Sequence, residues 1–96
     1  MQREINGQKY NFRMTRGGIR AAERAGMNMG EIGDKPMEAL YYLWYASLYA
    51  EHPMAMKKCD ALLDDYLDDP SCPESYEDLI GTLMEDYAAV FNIATE

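Results

Sequence analysis

The hydrophobic and polar positions along the chain predict one short hairpin followed by four helices. Apolar and polar residues alternate around Asn6-Gly7, a pair that tolerates the positive φ angles of a type I′ turn, so residues 3–14 are expected to form a β-hairpin. Apolar residues spaced three and four apart then predict helices near residues 15–25, 34–51, 54–67 and 73–91. The expected fold is therefore mainly α, in the α+β class. It is a single domain over residues 1–96, with the hairpin packed on a helical array of about four helices at residues 15–94.

Residues with capping side chains indicate where these helices begin and end. Thr15 is expected to cap the first helix, and Gly26 to end it. Asp34 is expected to cap the second helix, which has Pro36 in its first turn. Ser75 is expected to cap the last one. The residues of the first helix expected to pack inward are Ile19, Ala22 and Ala25.

The second predicted helix contains the least usual stretch of the chain, the uncharged run ALYYLWYASLYA at residues 39–50. On a helical wheel, one face predicted to pack in the core holds Met37, Leu40, Tyr41, Trp44 and Leu48. The opposite face holds Tyr42, Tyr45 and Tyr49. These tyrosines have two interpretations: they pack on another helix of the same domain, or they form a surface for a second protein, where tyrosine is enriched.

The net charge of −8 is unevenly distributed. Residues 1–24 hold six basic and two acidic side chains, whereas residues 59–96 hold eleven acidic side chains and no basic one. Such a chain is a poor match for a phosphate backbone, which requires basic residues, so no nucleic-acid partner is expected. No apolar stretch approaches the roughly 20 residues of a membrane helix, and residues 1–20 do not resemble a signal peptide. The chain is therefore expected in the cytoplasm, without a membrane partner.

Three groups of residues resemble parts of metal-binding or catalytic sites, but each lacks features that such a site requires. The aspartates between Asp60 and Asp69 recur at helical spacing without the glycine and glutamate of an EF-hand loop, so they are interpreted as a solvated face. The single histidine, His52, has no nucleophile at a recognisable spacing and is interpreted as a helix C-terminal residue. Cys59 is expected to be buried and inert, and no disulfide with Cys72 is expected. The sequence thus predicts no enzyme, no cofactor and no metal site.

Two further sets of residues are candidates for a binding surface. Arg16, Arg20 and Arg24 share one helix face at i, i+4 and i+8, where like charges repel. This row is either a solvated face or a row that meets carboxylates, in the acidic half of the same chain or on a partner. Methionines also lie near the ends of the aromatic helix, among them Met54 and Met56, and methionine either fills irregular cores or lines adaptable surfaces.

Four segments of the chain resemble those of a known family. They are INGQKYNF, TRGGIRAAERAGMN, KPMEALYYLWYASLYAEHP and MKKCDALLDDYLDD. Their order, a hairpin, a helix ending in A-G and an aromatic helix closed by proline, resembles the tail assembly chaperones of siphophages and prophages of Gram-positive bacteria. The resemblance covers nearly the whole chain, but the family has no fixed functional residues to carry across.

The resemblance implies a non-enzymatic protein that binds the aggregation-prone tape measure protein until tail tube subunits polymerise around it. The expected partners are the tape measure protein, with the tail tube protein as a further candidate, and a second copy of the chain. The protein is expected in the cytoplasm of the bacterial host and not in the mature virion. Two alternatives stay open: a prophage-encoded regulator that binds a host protein, and a minor structural component of the head–tail region.

Overall fold

A computed structural model describes residues 1–92 and confirms the expected fold class, a short antiparallel hairpin followed by four helices. The strands are β1 (Gln2–Ile5) and β2 (Gln8–Asn11). The helices are α1 (Arg16–Ala25), α2 (Pro36–Leu48), α3 (Met56–Asp68) and α4 (Tyr76–Asn92), with a short 3-10 turn at Met29–Glu31 between α1 and α2. None of the helices within residues 1–92 is long and apolar enough to cross a membrane. The expected end of the helical array at residue 94 lies outside the described residues.

The hairpin turns at the residues that the sequence indicated. Asn6 and Gly7 both have positive φ, 54° and 79°, as a type I′ turn requires. Strand pairing reaches Gln2 and Asn11, and backbone hydrogen bonds between Met1 and Phe12 continue it, so the hairpin ends at Phe12 and not at the expected residue 14. From there the chain is held by α2 instead, because the backbone N–H of Arg13 donates to the carbonyl of Ser47 at 2.8 Å.

The first helix begins and ends where its caps predicted. The hydroxyl of Thr15 accepts a hydrogen bond from the backbone N–H of Gly18 at 3.0 Å, and Gly26 ends the helix with a φ of 125°. Ile19 and Ala22 are buried as expected. Ala25 is exposed, so its predicted inward position is wrong; the helix ends as its last turn leaves the core.

The second helix begins one residue later than expected. Lys35, not Asp34, occupies the N-cap position and makes no side-chain capping bond. The backbone N–H of Lys35 donates to the carbonyl of Glu31 at 2.8 Å, so the turn that follows the 3-10 segment places Asp34 outside the helix. The helix also ends at Leu48, three residues before the expected Glu51.

Helix α2 lies at the centre of the molecule and packs against α1, α3 and α4. Because three helices surround it, its buried residues cover more than one face: Ala39, Leu40, Leu43, Trp44, Ala46, Ser47 and Leu48. The predicted inward face is wrong at Met37, which is 48% exposed, and it omitted Leu43, which is fully buried. Trp44 is the centre of the core, with its ring 4.5 Å from that of Phe12 and 5.8 Å from that of Tyr66.

The last two helices close the core from the acidic half of the chain. Leu63 of α3 and both Leu79 and Leu83 of α4 are fully buried. The hydroxyl of Ser75 accepts from the backbone N–H of Asp78 at 3.2 Å, which confirms the predicted cap of α4. These contacts leave the carboxylates of α3 and α4 largely on the outside.

Candidate binding surfaces

Helices α1 and α2 cross in opposite directions and in close contact. Gly18, near the start of α1, lies against the backbone of Ala46, near the end of α2. At the other end of α1, the hydroxyl of Tyr42 donates to the carbonyl of Ala25 at 3.3 Å. A Cβ atom at Gly26 would lie 2.7 Å from that hydroxyl oxygen, so glycine is needed there for space as well as for its positive φ.

The three candidate tyrosines of α2 therefore differ in their surroundings. Tyr42 is half-buried and bonded to α1, as the first interpretation of these residues required. Tyr45 is also half-buried, but Tyr49 is 39% exposed. The rings of Tyr45 and Tyr49 lie 6.2 Å apart in a T-shaped arrangement, and Tyr49 lies beside Gly17 of α1. Tyr49 is thus the most accessible of the three, and Tyr45, which packs against it, is not engaged by α1 through a hydrogen bond as Tyr42 is.

The arginine row lies on the exposed side of α1. Arg16, Arg20 and Arg24 are all exposed, and within residues 1–92 no carboxylate lies within 4.0 Å of any of them. Pairing of this row with the described acidic half of the same chain, one of the expected alternatives, is therefore wrong. We call the arginine row together with Tyr45 and Tyr49 the tyrosine–arginine surface.

The structure does not bring Met54 and Met56 to this surface. Met54 is half-buried in a shallow groove beside Tyr10 and Leu62. Met56 is half-buried in a different groove, between α2 and α3, together with Met37. The sequence indicated that these methionines lie near the ends of the aromatic helix, but not that they line separate grooves.

Carboxylates of α3 border the groove that contains Met56. The hydroxyl of Tyr41 donates to Asp64, and this bond, followed by burial, raises the pKa of Tyr41 to about 12. One carboxylate oxygen of Asp60 is buried without a hydrogen-bond partner among the described residues. Burial, followed by the charges of Asp64 and Glu38, raises the pKa of Asp60.

A second polar cluster joins the hairpin to the loop before α4. The guanidinium of Arg3 makes two bonds with the carboxylate of Glu74, Nε to Oε1 at 2.5 Å and Nη2 to Oε2 at 3.2 Å. The hydroxyl of Tyr66 donates to the same Oε1 at 2.7 Å. Burial alone would raise the pKa of Glu74, but the bonds from Arg3 and Tyr66 outweigh it and hold this pKa below its ordinary value. Nothing in the sequence indicated this cluster, because Arg3 lies 71 residues from Glu74 along the chain.

The contacts of the single histidine, His52, and the burial of Cys59 are those of residues that support the fold. Nε2 of His52 accepts from the backbone N–H of Asn11 at 3.1 Å, and the imidazole packs edge-on against Tyr10. His52 lies just beyond the end of α2, and its backbone N–H donates to the carbonyl of Leu48 at 2.8 Å, in agreement with its predicted place at the helix C-terminus. Burial raises the pKa of Cys59 to about 11, which disfavours its nucleophilic thiolate. Within residues 1–92, no group of His, Cys, Asp and Glu is arranged to hold a metal ion.

The fold is that of a small helical protein, and its candidate binding residues lie on an exposed face of α1 and α2 and in shallow grooves. The chain belongs to a family described as a domain of unknown function, DUF5055, whose model matches residues 1–95. No curated protein and no solved structure matches it.

Proposed function

We propose that this protein is a phage tail assembly chaperone that binds and shields the tape measure protein during tail assembly. The proposal draws on the sequence resemblance and rests on one structural observation: the arginine row has no carboxylate partner within residues 1–92. Three like charges on one helix face repel each other. A partner that presents carboxylates would relieve this repulsion.

Tyr49, which lies beside Gly17 of α1, and its neighbour Tyr45 supply the other part of such a surface. Tyr49 is exposed beside α1, and Tyr45 contacts it. Tyrosine contributes large contact area with little loss of conformational freedom, and tyrosine and arginine dominate the energetics of many interfaces. The surface therefore suits a helix that presents both apolar and acidic side chains, as a segment of an aggregation-prone client would.

The acidic side of the molecule would keep the complex in solution. Asp64, Asp65 and Asp68 are exposed along α3. Net charge of one sign suppresses association between coated clients. In this proposal the protein acts without catalysis in the cytoplasm of the bacterial host, is absent from the mature virion, and self-associates through the same surface when no client is present.

We expect Tyr49→Ala to weaken binding of the purified tape measure protein by about tenfold or more, the effect of removing an interface tyrosine that anchors a contact. The measurement is a dissociation constant from surface plasmon resonance. Tyr76→Ala is the matched control, because Tyr76 lies on α4 and is also 39% exposed. Equal affinities of the two variants would contradict the proposed surface.

Charge reversal tests the arginine row separately. Arg20→Glu should weaken the same binding at low salt, where exposed charges interact most strongly, whereas Lys57→Glu on α3 makes the same change in net charge elsewhere. An unchanged affinity of the Arg20→Glu variant would show that the arginine row is not part of the binding surface. Tyr42 is not a suitable test, since its bond to Ala25 makes its substitution a test of folding.

A further inference from the structure

The groove between α2 and α3 differs in character from the tyrosine–arginine surface. It encloses about 470 Å³, and its apolar lining comes from Met37, Tyr41, Tyr42 and Met56. Met37 is 48% exposed on α2, a helix that is otherwise largely buried. Methionine and tyrosine are suited to contact with varied partners, because the thioether adapts its shape and the phenol is both apolar and polar.

Three carboxylates, those of Glu38, Asp60 and Asp64, complete the lining. Within residues 1–92, no basic side chain lies within 4.0 Å of any of them. Asp64 accepts a hydrogen bond from Tyr41, but one oxygen of Asp60 is buried and has no hydrogen-bond partner among the described residues. A buried carboxylate oxygen without a partner is unfavourable, and a cationic donor would remove that cost.

The combination of apolar lining and carboxylates determines which occupant fits. An apolar side chain alone would leave the carboxylates unpaired, and a bare cation would gain nothing from the methionines. A lysine or arginine side chain matches both parts, because its aliphatic stem covers apolar surface while its head reaches a carboxylate. A neighbouring apolar side chain on the same segment would cover Met37.

We propose that the α2–α3 groove docks a basic amphipathic segment of a partner protein, with a lysine or arginine directed at Asp60 and Asp64 and an apolar side chain on Met37 and Met56. The inference goes beyond the tail assembly role. It holds whichever protein supplies the segment, and it concerns a different face from the tyrosine–arginine surface.

The test uses a synthetic helical peptide of lysine, leucine and alanine, about 14 residues long, with one amphipathic face. Its affinity is measured by fluorescence anisotropy at about 0.15 M salt, where long-range attraction to the acidic chain is screened. We expect the double variant Asp60→Asn, Asp64→Asn to bind about tenfold more weakly than the unchanged protein, because it loses two partly shielded ion pairs. Asparagine preserves side-chain shape and an acceptor for Tyr41, so the fold is expected to be retained.

The matched control is Glu77→Gln, Glu85→Gln, which makes the same change in net charge at two exposed positions of α4. It should bind within about twofold of the unchanged protein, since diffuse attraction at this salt concentration is small. A second peptide with its leucines replaced by serine should also bind about tenfold more weakly.

Equal weakening by the two double variants, equal binding of the two peptides, or no binding by the unchanged protein would overturn the inference. The Tyr49→Ala variant should bind the peptide normally. The peptide experiment therefore tests the groove alone, and the tail assembly proposal is tested separately by binding of the tape measure protein.

Discussion

Gly18→Ala should destabilise the protein by about 3 kcal/mol, the upper part of the usual range for overpacking a tight contact. The added Cβ would overlap the carbonyl oxygen of Ala46 and lie 3.1 Å from its carbonyl carbon. These are backbone atoms of a buried helix, so they cannot rotate away as a side chain would. The expected result is separation of α1 from α2, measured as a lower free energy of unfolding in urea by circular dichroism.

Gly81→Ala is the control, and it is expected to change the stability of the protein in the opposite direction. Nothing lies within 4 Å of a Cβ at Gly81, which is an exposed position of α4. Alanine there should stabilise the protein by up to about 1 kcal/mol, because glycine is unfavourable inside a helix. If Gly18→Ala also stabilised the protein, the close packing of α1 on α2 would be wrong.

Glu74→Gln should lower the free energy of unfolding at pH 7 by about 2 kcal/mol, in the range for hydrogen bonds to charged groups. The carboxylate of Glu74 accepts from both Arg3 and Tyr66 in a partly buried position. The variant leaves the guanidinium without its counter-charge. Glu85→Gln, at an exposed position of α4, is the control and should change stability by only a few tenths of a kcal/mol.

The difference in free energy of unfolding between the unchanged protein and Glu74→Gln should decrease as the pH is lowered. The pKa of Glu74 is lower in the folded protein than its ordinary value of 4.5, so protonation favours the unfolded chain. The advantage of the unchanged protein over Glu74→Gln is therefore complete well above pH 4.5 and is lost as the pH falls through the folded pKa. The measurement is urea unfolding of both proteins above and below that pH. A difference that stayed constant, or grew in acid, would contradict the assigned role of Glu74.

Local signals in the sequence predicted the elements well, because each depends on a few adjacent residues. Asn6-Gly7 set the hairpin turn, and Thr15 and Gly26 set the ends of α1. Asp34 failed as a cap because the turn after the 3-10 segment shifted the N-cap position of α2 to Lys35.

The orientation of α2 could not be predicted in the same way. Residues 39–50 carry no charge, so a helical wheel offers no solvent-facing side, and the helix contacts others on three sides. That is why Leu43 was overlooked and Met37 was placed in the core. The bond between Arg3 and Glu74 spans 71 residues, and no periodicity in one chain indicates such a pair.

The candidate binding residues lie in three places in the structure: the tyrosine–arginine surface and the two grooves that contain Met54 and Met56. The arginine row was predictable as a shared face because i, i+4 and i+8 spacing fixes it on any helix. Its position relative to Tyr45 and Tyr49 depends on how α1 crosses α2, which follows from tertiary contacts such as the packing of Gly18 on Ala46. Tyr42 belongs mainly to that packing, and the role of the other residues at an interface stays a prediction.

The most direct test of the tail assembly proposal is coexpression with the tape measure protein of the same phage or prophage. The quantity measured is the fraction of tape measure protein that remains soluble and co-purifies with this chain. The proposal predicts a soluble complex with the unchanged protein and with Tyr76→Ala, and a clear loss with Tyr49→Ala combined with Arg20→Glu. A tape measure protein that stays insoluble with the unchanged chain, or that is soluble without forming a complex with it, would contradict the proposal.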